Sequence, residues 1–133
     1  MLKRRKTQKG KKRLKSIAKL KKDLWRVFAK FIKKRDKGIC FTCGKKASGA
    51  SYHAGHFIKK SISGIELYFN EDNVHGQCFY CNMFLDGAQY IYGTKLGAKK
   101  VAELYKIKED TRGKVWDRAT FNKKIAYYKA KIK

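Results

Sequence analysis

The residues that could do chemistry lie between positions 40 and 82, where all four cysteines and all three histidines of the chain are found. The cysteines form two Cys-x-x-Cys pairs, Cys40/Cys43 and Cys78/Cys81. Each pair can hold a metal from one tight turn, and two pairs complete a tetrahedron with sulfur–zinc distances of roughly 2.3 Å. The spacing therefore predicts a structural zinc. Because a Cys₄ site is closed, this zinc should not itself catalyse a reaction.

A second set of polar residues lies between the cysteine pairs and directly after them, namely His53, His56, Asn73 and Asn82. A neutral imidazole can activate water near neutral pH. A divalent cation held by His and Asn side chains can stabilise charge on a scissile phosphate. The set therefore favours metal-dependent phosphodiester hydrolysis. On an ideal strand His53 and His56 point to opposite faces, but Gly55 permits a twist or bulge, so the sequence leaves their convergence open.

The elements that must position these residues predict one α+β domain in four segments. We expect a flexible basic arm over 1–13, a basic amphipathic helix over 14–38, a zinc-stapled core over 39–87 and a helical region over 88–133. In the first helix, apolar residues recur at three- and four-residue steps. Gly38 follows a lysine-rich last turn and marks its end.

Within the core, alternation predicts strands at 51–58 and 61–69, followed by a helix from Cys81 to Gly87. After the core, helical periodicity covers 88–108 and 117–132, with Asp117 as the N-cap of the last helix. Trp25, Trp116 and most of the tyrosines between 90 and 128 are expected to pack in the core.

The charge of the chain predicts a polyanionic partner. The formal net charge is +25 and the sequence pI is about 10.1, with 18 Lys or Arg and two Asp in residues 1–37 alone. DNA is the expected partner, and an acidic membrane surface or simple solubility is the alternative. The predicted phosphate-binding residues are Lys3, Arg4, Arg5, Lys11, Lys12, Arg13, Lys22, Arg26, Lys59 and Lys60.

The sequence offers no signal for a membrane or for export. No apolar run approaches the roughly 20 residues that cross a bilayer, and the basic N-terminus lacks the apolar core of a signal peptide. We therefore expect a cytoplasmic protein, in the host cell if it is encoded by a phage. In a reducing compartment, paired Cys-x-x-Cys motifs indicate metal ligands rather than disulfides.

Together these motifs resemble the zinc-stapled branch of the HNH (ββα-metal) nucleases, and within it the phage recombination protein NinG (Rap) family. The resemblance covers about residues 14–133. It rests on a series of short motifs: Cys40-Phe41-Thr42-Cys43-Gly44, Ala54-Gly55-His56-Phe57, Leu67 to Cys78, Cys81-Asn82 and Gly87. The resemblance implies an endonuclease that cleaves branched DNA such as Holliday junctions and D-loops.

The resemblance also implies a role for each site residue. It assigns His56 as general base, Asn73 as the residue that orients the loop and the base, and Asn82 as a ligand of the catalytic metal. HNH enzymes often place an acidic ligand just before the base, where this chain has Gly55. The phage family has an Asp three residues before the base. His53 stands there in this chain, and we expect it to be the second metal ligand.

The resemblance leaves the catalytic metal and several roles open. Mg²⁺ or Mn²⁺ is expected, and because imidazole is a softer ligand than carboxylate, Mn²⁺, Ni²⁺ or Zn²⁺ would gain relative to Mg²⁺. His75 is either a ligand or a structural hydrogen-bonding residue. A homodimer is expected because junction resolution needs two symmetric cuts, with the helix from Leu14 to Ile32 as the candidate interface.

Two other functions fit the same sequence. The first is a zinc-stabilised DNA-binding module without catalysis, and the second is a general HNH nicking or packaging nuclease. The set formed by His53, His56 and Asn82 discriminates against the first, because a protein that only binds DNA has no need to assemble it.

Overall fold

The structure, a computed structural model, describes residues 13–133. Within them lie one two-stranded antiparallel sheet and five α-helices, so the α+β class is confirmed. The elements are α1 (Ile17–Asp36), β1 (Tyr52–His56), α2 (Lys60–Tyr68), β2 (Val74–Cys78), α3 (Gln89–Leu96), α4 (Ala98–Asp110) and α5 (Arg118–Lys131). The basic arm, with its predicted DNA-binding residues Lys3, Arg4, Arg5, Lys11 and Lys12, lies outside the described residues apart from Arg13.

Helix α1 is the base on which the sheet rests. It begins later than its apolar pattern suggests, because the Ser16 side chain accepts the backbone N–H of Lys19 and caps it at Ile17. Leu14 therefore lies outside the helix and is 78% exposed. The helix ends where Lys37 and Gly38 take left-handed backbone angles. Its buried apolar side chains pack with α5 and the sheet, and they are Leu20, Leu24, Val27, Phe28 and Ile32.

The sheet register sends the two histidines of β1 to opposite faces. His56 lies across from Val74, and His53 lies across from Gln77. Ala54 and Val74 belong to the core formed with α1, so the His56 face rests on that helix. The opposite face carries His53 and Gln77. The strand therefore does not twist enough at Gly55 to bring the two imidazoles onto one face.

The predicted second strand at 61–69 is wrong. Residues 60–68 form α2, a helix kinked at Gly64, and the partner of β1 is instead β2 at Val74–Cys78. The alternation of Ile65, Leu67 and Phe69 misleads because it crosses the end of the helix. Leu67 is buried from within α2, whereas Phe69 is buried from the loop that follows.

The predicted helix after the second cysteine pair is also shorter than expected. It is a five-residue π-helical turn, Tyr80–Phe84, that ends where Leu85 leaves helical angles. Asp86, Gly87 and Ala88 then take positive φ angles, which carry the chain into α3. The core is thus two strands with a helix inserted between them, closed by one short turn.

The C-terminal region packs a second, smaller core against the loop after β1. Phe57, Leu67, Tyr92 and Leu104 are among its buried members. Gly97 separates α3 from α4, and Gly93 lies inside α3. The Asp117 side chain accepts the N–H of Thr120, so the predicted N-cap of α5 is confirmed.

The aromatic predictions hold only in part. Trp116 is buried and stacks on Phe69, and Trp25 packs against the main core. Tyr92 and Tyr128 are also buried. Three other tyrosines are exposed, and they are Tyr90, Tyr105 and Tyr127. Among the helices described here, none has both the length and the apolar composition that a bilayer crossing requires.

Candidate metal centre and active site

The four cysteines converge into one metal-binding cluster. The ligand atoms of Cys40, Cys43, Cys78 and Cys81 all lie within 4.8 Å of one another. The Sγ atoms of Cys43 and Cys78 are 3.7 Å apart. That is far longer than a disulfide bond and close to the roughly 3.8 Å edge of a tetrahedron with sulfur–zinc distances near 2.3 Å. The cluster is therefore positioned to hold a metal ion and fits zinc.

Backbone and hydroxyl groups prepare the sulfurs for a cation. The N–H groups of Cys43 and Cys81 point to the Sγ atoms of Cys40 and Cys78 at 3.5 and 3.4 Å. Burial opposes ionisation of Cys40, but hydrogen bonds from Thr42 and backbone N–H groups outweigh it and lower its pKa to about 6. Burial and the neighbouring thiols together raise the pKa of Cys81 to about 12, against a smaller lowering by Thr42. Because adjacent thiolates repel one another, full ionisation of the cluster requires a bound cation.

The two predicted ligands of the catalytic metal lie in contact. His53 Nδ1 is 2.9 Å from Asn82 Nδ2, and His53 Nε2 is 3.0 Å from the carbonyl oxygen of Ala50. The carbonyl can only accept, so it fixes the ring proton on Nε2 and leaves the Nδ1 lone pair facing Asn82. An amide rotation at Asn82 would present its oxygen beside that lone pair. One imidazole nitrogen and one amide oxygen then form a pair that suits a partly hydrated divalent cation.

The predicted base, His56, is held in a single tautomer. Its Nε2 lies 2.8 Å from the carbonyl oxygen of Tyr68 and must donate to it, so Nδ1 is free to accept a proton. The ring stacks on Trp25 with centroids 5.2 Å apart and is 7% exposed. Burial lowers the pKa of His56 to about 4, and the charge of Lys60 adds to this effect. His56 is therefore neutral at pH 7, as a base must be.

His56 and Asn82 line one cleft although they come from different elements. The cleft has a volume of about 360 Å³ and opens beside β1, between the start of α2 and the turn after β2. Lys59 and Lys60 form part of its wall, and the carboxylate of Asp86 pairs with Lys59. The sequence analysis missed Asp86, which lies four residues after Asn82. His56 and Asn82 thus share the cleft, whereas His53 contacts Asn82 from the opposite face of β1 and does not line it.

Asn73 lies outside this cleft and orders the loop behind it. Its side chain is fully buried, accepts the N–H of Ile58 and donates to the carbonyls of Ile58 and Leu67. These bonds fix the chain leaving β1 against the end of α2, whose Tyr68 carbonyl orients His56. This placement fits an orienting residue and gives Asn73 no direct contact with a reacting group.

His75 lies away from the cleft. Its ring stacks on Phe41 at 4.0 Å, and Nδ1 is 3.1 Å from the hydroxyl oxygen of Tyr92. Burial lowers its pKa to about 4. Of the two roles left open for His75, these contacts favour the structural one.

Gln77 is a site residue that the sequence analysis missed. It is fully buried, and its Nε2 donates to Gly87 O and to Thr42 Oγ1, which contacts Cys40 Sγ. Among residues 13–133, its Oε1 is the one buried side-chain oxygen or nitrogen without a hydrogen-bond partner. A side chain at Gly55 would collide with this oxygen and come within 3.0 Å of Asn82 Oδ1. Position 55 therefore has to be glycine, because the Gln77 side chain occupies the space that a Cβ atom would need.

The predicted DNA-binding residues that the structure describes all lie at the surface. Arg13, Lys22, Arg26, Lys59 and Lys60 are exposed. Lys60 Nζ also lies 4.4 Å from the ring centroid of Trp25. Lys21, which the sequence analysis did not select, lies over Tyr68 at 4.3 Å. Burial and the nearby charge of Lys21 lower the pKa of Lys60.

The first prediction concerns the cysteine cluster. Purified protein should contain one zinc per chain, and Cys78→Ser should lose it, because three thiolates hold the ion much more weakly. Elemental analysis gives the zinc content, and thermal unfolding with and without a chelator gives the stability. Asn82→Ala is the matched control, since it alters the neighbouring turn and keeps all four sulfurs. A melting temperature that does not respond to zinc removal would contradict a structural role.

The second prediction concerns the buried imidazole of His56. In the unfolded chain its pKa is about 6.5, so between pH 6.5 and 4 the unfolded state binds a proton that the folded state does not. The free energy of unfolding should therefore fall as the pH falls through this window, by about 3 kcal/mol from this residue. Urea titrations should show that the free energy of unfolding falls between pH 7 and pH 4 by that much more in the wild type than in His56→Gln.

The glutamine variant separates this effect from zinc loss. Glutamine keeps a donor for the Tyr68 carbonyl but has no proton to gain, and acid releases zinc from both proteins alike. Parallel stability curves for the two proteins would show that His56 is not held neutral.

Comparisons with known proteins agree on one family. A family model described as "Bacteriophage Lambda NinG protein" matches residues 2–133. Protein ninG of Salmonella phage P22 is 30% identical over 105 residues, which cover 77% of this chain and 51% of the P22 protein. Protein ninG of Escherichia phage lambda is 37% identical over 67 residues, which cover 50% of this chain and 32% of the lambda protein. The matches thus span about half the length of these relatives or less.

No solved structure matches the chain. The family model, in contrast, covers the arm, the cysteine cluster, the cleft and the C-terminal helices. The chain therefore belongs to the family of the bacteriophage lambda NinG protein.

Proposed function

We propose that the chain is a metal-dependent endonuclease of the HNH type that hydrolyses phosphodiester bonds in branched DNA, such as Holliday junctions and D-loops. One observation carries this proposal. His56 and Asn82 line the same cleft, and His53 Nδ1 lies 2.9 Å from the Asn82 side chain. One proposed cation ligand, Asn82, thus shares the cleft with the proposed base and contacts the second ligand, and a base and a bound cation are the two parts that phosphodiester hydrolysis requires.

In this proposal His56 takes a proton from the attacking water. Its Nδ1 is the free nitrogen, because the Tyr68 carbonyl holds the proton on Nε2. The carbonyl also stabilises the ring when Nδ1 becomes protonated, since a positive imidazolium donates a stronger hydrogen bond. Stacking on Trp25 fixes the ring plane, so the base keeps its direction during the reaction.

His53 and Asn82 would hold the cation, and Asp86, which lines the cleft with Asn82, carries a carboxylate that can supply a further oxygen ligand. Bound there, Mg²⁺ or Mn²⁺ would stabilise charge on the scissile phosphate and the leaving oxygen. Lys59 and Lys60 lie on the cleft wall, where they can contact flanking phosphates. The net charge of +25 adds a general attraction for DNA.

The HNH assignment is supported by the order of the elements. A strand ending in His56, a partner strand preceded by Asn73 and a helical turn containing Asn82 follow one another, and the cysteine cluster joins their ends. The short π-helical turn is a departure from the helix expected at this position. Because resolution of a junction needs two cuts, we also propose that two chains act together. The apolar stripe of α1 is buried within its own chain, so a dimer would use another surface.

A zinc-stabilised DNA-binding module without catalysis is the second candidate. One observation favours it: both imidazoles already donate to backbone carbonyls, of Ala50 and Tyr68, as structural histidines do. A general HNH nicking or packaging nuclease would share the same site and differ only in its substrate. These functions make different predictions for one set of substrates.

The third prediction separates them. Zinc-loaded protein is incubated with a synthetic four-way junction, a D-loop and a linear duplex, with Mg²⁺ or Mn²⁺ added. We expect cleavage of the branched substrates, and His56→Ala should slow it by about 10²- to 10⁴-fold, which is the usual contribution of a general base. His56→Ala should still bind the junction, because it removes no phosphate contact.

Each other outcome assigns a different function. Binding without cleavage in any of the metals would favour the non-catalytic module. Equal cleavage rates on linear and branched DNA would favour the general nuclease. The proposed role of His56 would be overturned if His56→Ala cleaved at the wild-type rate, provided that its zinc content and circular dichroism spectrum show it to be folded.

A further inference from the structure

The turn after the second cysteine pair exposes a cluster of large apolar side chains. Phe79, Tyr80, Met83 and Phe84 are 42%, 59%, 58% and 71% exposed, and together we call them the aromatic ridge. They occur within six consecutive residues and belong to none of the buried clusters of the described chain. An apolar patch of this kind on a chain so rich in lysine requires an explanation.

The rings of the ridge support one another. Tyr80 and Phe84 are stacked with centroids 5.8 Å apart and planes 26° apart. Phe79 meets Phe84 edge-on at 5.5 Å. Cys81, a ligand of the cysteine cluster, lies inside the same turn, so a bound zinc would hold the backbone of the ridge in place. The ridge is therefore a preformed surface and not a set of independent side chains.

The ridge borders the candidate active site. The Phe79 ring meets the His53 ring edge-on at 5.6 Å, and Met83 lines the cleft together with Asn82. Lys59 and Lys60 lie on the wall of the same cleft. Lysines thus line the cleft, and Met83 connects it to the exposed rings of the ridge. This combination is typical of surfaces that bind single-stranded nucleic acid, where bases stack on rings and cations hold phosphates.

We propose that the aromatic ridge binds unpaired, unstacked nucleobases next to the scissile phosphate. The inference rests on the proposed action on DNA and adds the element that would recognise the branch. Ring faces have no affinity for phosphates, and in a continuous duplex the base faces are covered by their neighbours. Only unpaired bases, or the open end of a stack at a branch point, present a free face to Phe84 and Tyr80.

Charge favours DNA over a second copy of the chain as the occupant. Two chains of net charge +25 that met at a lysine-flanked patch would repel each other. A polyanion gains from the same charge, and its bases supply flat faces that can stack on the rings of the ridge. Self-association through the ridge is therefore kept as an outcome of the test.

The fourth prediction uses binding alone, without added divalent cation, so that no cleavage occurs. The probes are a forked duplex with unpaired 2-aminopurine at the branch and a fully paired duplex of equal length. Phe84→Ala and Tyr80→Ala should each raise the Kd for the fork by about five- to a hundredfold, the usual effect of one stacking contact. The Kd for the paired duplex should stay unchanged, and 2-aminopurine quenching on binding should be lost.

Two further variants test the chemistry of the contact. Phe84→Trp should keep fork affinity, whereas Phe84→Leu should lose it, because leucine is apolar but cannot stack. Tyr127→Ala on α5 is the matched control. Tyr127 is also a half-exposed tyrosine, but it does not line the cleft. Zinc content and circular dichroism confirm that each variant is folded.

The outcomes separate this inference from the proposed function. If Phe84→Ala binds the fork as tightly as the wild type and the wild type cleaves the junction, the ridge does not bind bases, but the proposed nuclease function is unaffected. Equal losses on fork and duplex also overturn base binding by the ridge. So does a wild-type dimer that becomes a monomer in Phe84→Ala, because the ridge is then a protein interface. A loss of affinity for the fork alone supports base binding by the ridge, even if the wild type cleaves no substrate.

Discussion

The structure depends on the convergence of four sulfur atoms. Cys40 and Cys43 precede β1, Cys78 ends β2 and Cys81 follows it, so one cluster closes the chain segment that contains both strands and α2. A two-stranded sheet is marginal by itself. Here it rests on α1 and is closed by the cluster, which needs a cation to overcome the repulsion between its thiolates. We therefore regard the metal as part of the fold.

The same cluster reaches the candidate active site through hydrogen bonds. Thr42 lies 3.3 Å from Cys40 Sγ and accepts from Gln77, whose side chain fills the space beside Gly55. Gly55 lies between His53 and His56, and Gln77 Nε2 also donates to the carbonyl oxygen of Gly87, a residue that lines the cleft. A short chain of buried polar atoms thus couples the geometry of the sulfur site to the cleft. The cysteines thus hold the ends of the segment in place, and His56 and Asn82 line the cleft.

The sequence allowed the repeated and local features to be predicted, and the structure confirms the cysteine cluster, α1 and the Asp117 cap. It misled where a pattern crossed an element boundary, as at Leu67 and Phe69. It concealed β2, because Gly76 and Gln77 lack the apolar character of a strand and are buried only through their neighbours. The roles of Gln77, Asp86 and the aromatic ridge depend on strand register and turn geometry, which spacing alone does not encode.

In the proposed function a divalent cation binds between His53 and Asn82, beside the cleft. The most direct test is titration of Mn²⁺ into ¹⁵N-labelled, zinc-loaded protein, because paramagnetic broadening reports the position of the ion. Because zinc blocks the sulfur site, we expect the amide signals of residues 53–56 and 82–86 to broaden first and Asn82→Ala to remove the effect. Broadening confined to other parts of the chain, or broadening that persists in Asn82→Ala, would show that the cation does not bind at His53 and Asn82.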